Sequence, residues 1–327
     1  MLADVAARAG VSKSLVSLVL RGEPGASAET RRRVLDAADE LGYHPDRRAR
    51  LLRSGRSRLL GVVFGIQHTF HADLVTALYT AARETGYELA LSAVTPDRGE
   101  AEATAGLLQD RCEALILLGP QTATARLAEL ATRLPVVVLA RSVRSAAVDA
   151  IHTADAEGLH QAVDHLVGLG HRRITHIDGG RAPGAVERRR GYRDAMHRHG
   201  LDRHARIVPG GLTEEEGAAA ARTLLRDPPT AVTVFNDRCA TGVLDVFSRN
   251  GLTVPNDISV VGYDDSHLAR LAHIDLTTIA QDTATLTRLA LARAVDRVEG
   301  NTVTHREVVV PPHLVVRGTT APLGPVG

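Results

Sequence analysis

Ser12, Lys13, Ser14 and Ser17 crowd the start of a short apolar series, Leu15, Val16, Val19 and Leu20, that recurs at helical spacing. Short hydroxyls and one ammonium at the beginning of a helix can meet phosphates and base edges, which is the chemistry of duplex recognition. A second set follows directly on apolar runs: Asn236-Asp237 after Ala231–Phe235, and Asp264-Asp265 after Ser259–Tyr263. Amide and carboxylate groups at the carboxyl ends of strands are where an open α/β sheet presents polar atoms to a small ligand. Signatures of catalysis are missing, with no Gly-Lys-Ser/Thr loop, no Gly-x-Gly-x-x-Gly turn and no Gly-x-Ser-x-Gly elbow. The chain therefore does not read as an enzyme. His68 with His71, and His197 with His199, lack clustered Cys or carboxylate partners, so they read as surface histidines rather than metal ligands. No cofactor is implied. Cys112 and Cys239 lie far apart in apolar contexts and read as small buried hydrophobes in a reducing compartment.

The polar start of that first series needs a scaffold, and its neighbours supply one. Val5, Ala6 and Ala9 form a preceding apolar stripe, and Gly10 breaks it. Ser27 predicts the N-cap of a third helix with Val34, Leu35, Ala38 and Leu41 inward, ended by Gly42. Helix, Gly-containing turn, helix and a bracing third helix is the helix-turn-helix layout. From Leu59 onward apolar strands alternate with amphipathic helices, in two runs each about the size of one doubly wound parallel sheet. Two α/β lobes with a cleft between them are expected, and the strand-end polar residues would face that cleft. Asp237 and Asp265 read as caps of the helices that follow. The tail after Arg317 carries no apolar heptads, so no further helical oligomerisation element is expected.

Charge divides the chain in the same way. The first 58 residues carry twelve Lys/Arg against seven Asp/Glu, a net +5, and the chain's overall +1 leaves −4 for the rest. A basic head on a mildly acidic body suits a protein that meets phosphates at one end only. No run of about eighteen uncharged apolar residues occurs, so no membrane span is expected. The N-terminus lacks the basic start and apolar block of a secretory signal, and the expected location is cytoplasmic.

Leu2-Ala3-Asp4-Val5-Ala6, Ala9-Gly10-Val11-Ser12-Lys13-Ser14, Val16-Ser17 and Val19-Leu20 together resemble the helix-turn-helix of the LacI/GalR family. The likeness continues through Ser27, Glu29-Thr30-Arg31, Val34, Leu41-Gly42-Tyr43 and Pro45. Beyond the head it includes Leu169-Gly170-His171-Arg172-Arg173-Ile174, Arg188-Arg189-Arg190-Gly191-Tyr192 and Phe235-Asn236-Asp237. Ser259-Val260-Val261-Gly262-Tyr263-Asp264-Asp265, Leu276-Thr277-Thr278-Ile279 with Gln281, and Leu314-Val315-Val316-Arg317-Gly318 complete it, in register over essentially the whole chain.

The resemblance implies a two-lobed α/β core of the periplasmic-binding-protein type, built of two doubly wound parallel sheets, behind an all-α head. The implied division is residues 1–44 for the head, 45–58 for a hinge helix and linker, 59–152 with 282–311 for one lobe, and 153–281 with 312–322 for the other. It implies a homodimeric repressor that binds a palindromic double-stranded DNA operator and releases it when a small molecule, a sugar or sugar derivative, enters the cleft. A solute-binding sensor and a corepressor-dependent regulator or activator stay open beside it. Lys13 and Ser14 fall at base-reading positions and Ser12 and Ser17 near phosphate. In the hinge, Arg47 and Arg50 suit phosphate contact, and Leu52 stands where the family inserts a leucine between base steps of the minor groove.

The chain also departs from the family pattern. Leu18 replaces a usual Arg and Arg21 a usual Asn, so the operator should differ from the family's common half-site; an Arg can bond guanine bidentately and Leu cannot. For the effector, Arg188, Asn236 and Asp264 fall on the family's ligand positions and Gln281 on a cleft-edge position. The first-lobe loop reads His68-Thr69-Phe70-His71, placing Phe70 and His71 at the ligand. Ala140-Arg141 stands where an acidic residue is common, and Leu212 where an aromatic is. Losing a carboxylate and a stacking ring while adding His71 and Arg141 predicts an acidic or phosphorylated sugar.

Overall fold

The computed structural model describes residues 2–20, 22–43 and 56–324. Arg21, Arg47, Arg50 and Leu52 lie outside the described residues. The chain divides into two compact units, Met1–Ser57 and Arg58–Gly327.

The first unit holds three helices, α1 (Leu2–Ala9), α2 (Lys13–Leu20) and α3 (Ala28–Glu40). Its core is small: Val5, Ala6 and Ala9 of α1 meet Val16 and Val19 of α2 and Val34, Ala37 and Ala38 of α3. The turn between α1 and α2 passes through Gly10 at φ +63°, a left-handed conformation that a side chain would strain. Ser12 then caps α2, its Oγ accepting the Leu15 N–H at 3.2 Å, and Ser27 caps α3, accepting the Thr30 N–H at 3.2 Å. Arg31 of α3 donates to Glu23 O at 2.7 Å and Val19 O at 3.4 Å, tying the end of α2 to the bracing helix. Two expected core residues are not in it. Leu35 is 48% and Leu41 46% exposed. Leu35 sits about 100° round the helix from Val34, off the narrow stripe that two eight-residue helices can cover. Leu41 follows the last helical residue, where Gly42 redirects the chain at φ +58°. Ser27→Ala is expected to cost this unit about 1 kcal/mol, read as a lower thermal midpoint of head unfolding; an unchanged midpoint would mean the cap bond contributes nothing.

The second unit contains two six-stranded sheets. The first is built of β1 (Leu59–Gly65), β2 (Glu88–Val94), β3 (Ala114–Leu118), β4 (Val136–Leu139), β5 (Asp149–Thr153) and β11 (Glu307–Val310). They lie in the order β11-β5-β4-β3-β1-β2, all parallel. The second is built of β6 (Ile174–Asp178), β7 (Arg206–Pro209), β8 (Ala231–Val234), β9 (Ser259–Asp264), β10 (Thr277–Ala280) and β12 (His313–Val315). Their order is β12-β10-β9-β8-β6-β7, parallel except for β12 against β10. Strand direction alternates side chains between faces, and both faces are apolar: Leu60 and Val62 enter one core and Leu59 and Val63 the other. Helices α4 (Thr69–Ala82), α5 (Glu100–Gln109), α6 (Thr124–Leu130) and α11 (Thr283–Glu299) accompany the first sheet. Helices α7 (Asp155–Gly168), α8 (Ala185–Arg198), α9 (Glu214–Leu224) and α10 (Asp237–Arg249) accompany the second.

Five of the strands, β5, β7, β10, β11 and β12, carry little apolar pattern of their own. The five strands are three to five residues long and carry charged or hydroxyl side chains, such as Arg206 and Thr277-Thr278, so their own pattern is weak and their neighbours specify them. Strand order reverses between β1 and β3 in the first sheet and between β6 and β8 in the second, and the carboxyl ends at such reversals leave a crevice that binds ligands.

Candidate functional site

In the helical unit, Lys13 and Ser14 are exposed on the first turn of α2, and Ser17 is half-buried one turn later. Ser12 is exposed, with its hydroxyl oxygen engaged in the cap. Leu18 is half-buried and packs its Cδ1 against Gly25 in the loop after α2. An ammonium and a hydroxyl thus stand free at the positive end of a helix dipole, where phosphate and base-edge acceptors are favoured.

In the two-lobed unit, a cleft of about 70 Å3 is lined from both sheets. The first lobe contributes Phe70 and His71 from the first turn of α4, Gly119 and Gln121 after β3, and Ala140 after β4. The second contributes Arg188 from α8, Leu212 before α9, Phe235 and Asn236 after β8, and Asp264 at the end of β9. Gln281, after β10, closes one side.

Arg188 is the centre of this arrangement. Its Nε donates to Asp155 Oδ1 at 2.8 Å, its Nη1 to Phe235 O at 2.5 Å, and its Nη2 lies 3.9 Å from Asp264 Oδ1. The guanidinium carbon sits 3.5 Å from the Tyr263 ring centre and 4.5 Å from that of Phe235, so its charge is held by ring faces as well as carboxylates. Burial works against that charge, but Asp155, Tyr263 and Asp264 outweigh it and raise the Arg188 pKa. Burial pushes the Asp264 carboxyl well above the usual range, against the pull of Arg188. Gln281 spans the crossing segments, accepting the Thr153 hydroxyl at 2.6 Å and donating to Asp264 Oδ1 at 2.7 Å. Asp264 at φ +114° and Ala140 at φ +62° are both held in backbone conformations unusual for a residue with a Cβ. Such strain persists where surrounding structure imposes it, and here both residues face the cleft.

Several residues sit otherwise than the sequence suggests. Arg141 does not line the cleft: its Nη1 donates to Pro120 O and Thr122 O, both at 2.7 Å, pinning the loop after β3. His71 is buried, not a surface histidine, and burial followed by the nearby His68 lowers its pKa to about 3. Its Nδ1 accepts the Gly65 N–H at 3.0 Å, so a neutral ring must carry its proton on Nε2, beside Gly119 at the cleft wall. The expectation of an acidic ligand rests on Arg141 and His71, and neither offers the cleft a cation. Asn236, not Asp237, caps α10: its Oδ1 accepts the Cys239 N–H at 2.7 Å, while its Nδ2 donates to Leu212 O at 3.3 Å. Asp237 is fully buried, accepting the Ser266 N–H at 2.7 Å and the Thr278 hydroxyl at 2.6 Å. Burial raises its pKa to about 7. Asp265 caps nothing; it pairs with Arg317 at 2.6 Å and Arg270 at 3.0 Å.

Sequence reasoning missed Asp155, which neutralises Arg188 and looks like an ordinary first-turn acid of α7. It also missed Arg238. Its Nε is held by Glu214 at 2.6 Å while its Nη1 donates to Gln67 O of the opposite lobe at 2.5 Å. Nothing local marks that bond, because its partner is a backbone carbonyl far away in the chain. Arg238→Ala is expected to speed dissociation of any cleft ligand several-fold by removing this tie across the mouth; stopped-flow release at the wild-type rate would count against it.

A helix-turn-helix unit followed by two doubly wound lobes around a polar cleft defines a ligand-sensing DNA-binding regulator. Residues 1–46 match the family of bacterial regulatory proteins of the lacI type, and residues 163–320 match the periplasmic binding protein-like domain. A LacI transcriptional regulator from a Rhodococcus species is 51% identical, with a TM-score of 0.79 over 81% of this chain and 99% of that one. The lac repressor dimer bound to operator and the anti-inducer ONPF is 31% identical, with a TM-score of 0.83 over 98% and 99%. The transcriptional regulator CelR in complex with cellobiose is 30% identical, with a TM-score of 0.71 over the same shares. The chain belongs to the lacI family of transcriptional regulators. Among its described residues no helix is long and apolar enough to cross a membrane.

Proposed function

We propose that the protein is a homodimeric repressor that grips a palindromic operator and releases it when a neutral polyhydroxyl ligand closes the cleft. The observation that carries this reading is the balance of the cleft. Arg188 is matched by Asp155, Arg238 by Glu214, burial disfavours the charged form of Asp264, and His71 is a neutral donor. Such a surface supplies paired donors and acceptors without surplus charge, which suits hydroxyl groups. The relatives bound to operator and to cellobiose support the same partners. Tyr79 on α4 and Leu91 on β2, the edge strand of the first sheet, are 47% and 40% exposed. An apolar edge of this kind fits a second copy of the chain. Ser12, Lys13, Ser14 and Ser17 would face the duplex, with Leu18 turned to its own loop. Arg21, Arg47, Arg50 and Leu52 are proposed to add phosphate and minor-groove contacts. In the cleft, Phe70, His71, Arg188, Leu212, Asn236, Asp264 and Gln281 would meet the ligand.

The test is an electrophoretic shift on duplex from upstream of the protein's own gene, with and without neutral and phosphorylated sugars. Retarded duplex released by a neutral sugar is the expected result, and Lys13→Ala should weaken binding by about 1–3 kcal/mol. Tighter DNA binding on sugar addition would overturn the release mechanism, and release by phosphorylated sugars alone would overturn the neutral ligand.

A further inference from the structure

The face of the first sheet turned away from α4 carries an open hollow between α5 and α6. Its floor is Val63 of β1 and Leu117 of β3, and its walls are Ala105 and Leu108 of α5 with Leu127 and Leu130 of α6. Helix α6 has only seven residues, about 10 Å of length, and α5 turns the small side chains of Ala101 and Ala105 toward it. The two helices therefore leave the strands between them partly uncovered. Helix α4, which carries Tyr79, packs on the opposite face, so the contact proposed for a second copy leaves this hollow open.

Its volume, about 250 Å3, sets the size of an occupant. An apolar cavity of about 150 Å3 takes one benzene ring, so about 100 Å3 remains beside such a ring for a short polar arm. The rim decides the charge of that arm. Four charged side chains stand there, Glu100, Arg126, Glu129 and Arg133. Arg126 pairs with Glu129 at 2.8 Å. The Glu100 carboxylate is engaged by the backbone N–H groups of Gln121 at 2.6 Å and Thr122 at 2.8 Å, and by the Thr122 hydroxyl. Arg133, exposed where the chain leaves α6, has no carboxylate partner among the described residues. An apolar pocket with one unmatched guanidinium at its edge suits an apolar molecule that ends in an anion.

We propose that this hollow is a second ligand site, for a small aryl carboxylic acid whose ring packs on Val63, Leu117 and Leu127 while its carboxylate meets Arg133. The loop after β3 joins the site to the cleft. Pro120 and Thr122 line the hollow, whereas Gly119 and Gln121 line the cleft. Neighbouring residues of one segment thus face two spaces. Arg141 holds that segment by the carbonyls of Pro120 and Thr122, and Glu100 holds it by the next N–H groups. A side chain at Gly119 would touch Pro183 of the second lobe, so the loop stands where the lobes meet. An acid that fits the hollow selects this loop position. It therefore tightens binding in the cleft and is tightened by it in return. The coupling, though not the site, rests on the reading of the cleft as the effector site.

Titration calorimetry of the full-length protein with phenylacetate, phenylacetamide and acetate tests the site. Phenylacetate is expected to bind with a Kd of about 1 mM or tighter. Phenylacetamide, which lacks the charge, should bind about fivefold more weakly, and acetate, which lacks the ring, not measurably. Arg133→Ala should make the two aryl compounds equal. Ala105 is an exposed helical position that accepts a longer side chain, so Ala105→Leu should fold and abolish binding of both. Phenylacetate binding that both variants leave unchanged overturns the site, as does equal affinity for acid and amide in the wild type, or no binding at all. Amide hydrogen exchange reads the coupling: phenylacetate should slow exchange at Gln121 and Thr122, and should fail to do so in Ala105→Leu. Unaltered exchange there overturns the coupling. Each of these failures leaves the release of duplex by a neutral sugar untouched.

Discussion

Arg188→Ala is expected to cost the two-lobed unit about 3–5 kcal/mol of stability and to abolish the response of DNA binding to effector. Only 5% of Arg188 is exposed, yet it meets two carboxylates, a backbone carbonyl and two ring faces. Removing it leaves Asp155 and Asp264 facing each other without a cation, and Phe235 O without one of its donors. That is the costly way to break a buried pair, since the remaining charge has nowhere to go. Arg188→Lys retains a charge but neither the fork that bonds Asp155 and Phe235 together nor the flat face that stacks on Tyr263. It should recover part of the stability and little of the ligand response. Calorimetric unfolding gives the first quantity and a ligand-dependent electrophoretic shift the second. An alanine variant as stable as the wild type would mean that the ion pair only balances its own desolvation.

The second large effect is a pH dependence centred on Asp237. Its carboxyl is pushed up to about 7 by burial, against an ordinary value near 3.8 in the unfolded chain. Between those values the folded protein holds a proton that the unfolded one has lost, so this group's contribution to stability falls as pH rises from about 4 to about 7 and is flat beyond. The slope is about 1.4 kcal/mol per pH unit for one group. Buried histidines act in the opposite sense. His71, lowered to about 3 by burial and His68, and His176, lowered to about 4 chiefly by burial, stay neutral in the fold. They lose stability as pH falls below 6.5, where the unfolded rings gain protons that the folded ones refuse. Asp237→Asn isolates the carboxylate. The amide oxygen can accept the Ser266 N–H while its NH2 donates to Thr278 Oγ1, so the buried bonds survive. Relative to wild type, this variant is expected to gain about 2–3 kcal/mol between pH 5 and pH 8. Identical differences at the two pH values, measured by thermal unfolding, would dispose of the idea.

These effects differ in how visible their causes are before folding. The three head helices, the Ser27 cap and the Gly10 and Gly42 breaks are written within a few residues of one another. Local spacing and local hydrogen bonds therefore reveal them. So does the alternation of long apolar strands with amphipathic helices, which specifies two sheets covered on both faces. Asn236 and Asp264 could also be set at strand ends and hence beside a cleft. What those side chains do there could not be read. Asn236 turned out to serve α10 as a cap, Asp237 to be buried against Ser266 and Thr278, and Arg141 to hold a loop.

Arg188 finds Asp155 on the preceding helix, Gln281 finds Thr153 on another crossing segment, and Arg238 finds a carbonyl of the opposite lobe. Each bond joins residues whose separation along the chain carries no periodic signal. Which way a strand-end side chain turns depends on the register and order of strands around it, and a shift of one residue reverses its face. The amino-acid order by itself thus determined the kinds of unit present and the ends at which polar groups gather. The packing of helices and strand ends within the second lobe determined which charges cancel, and with that, what sort of molecule the cleft can hold.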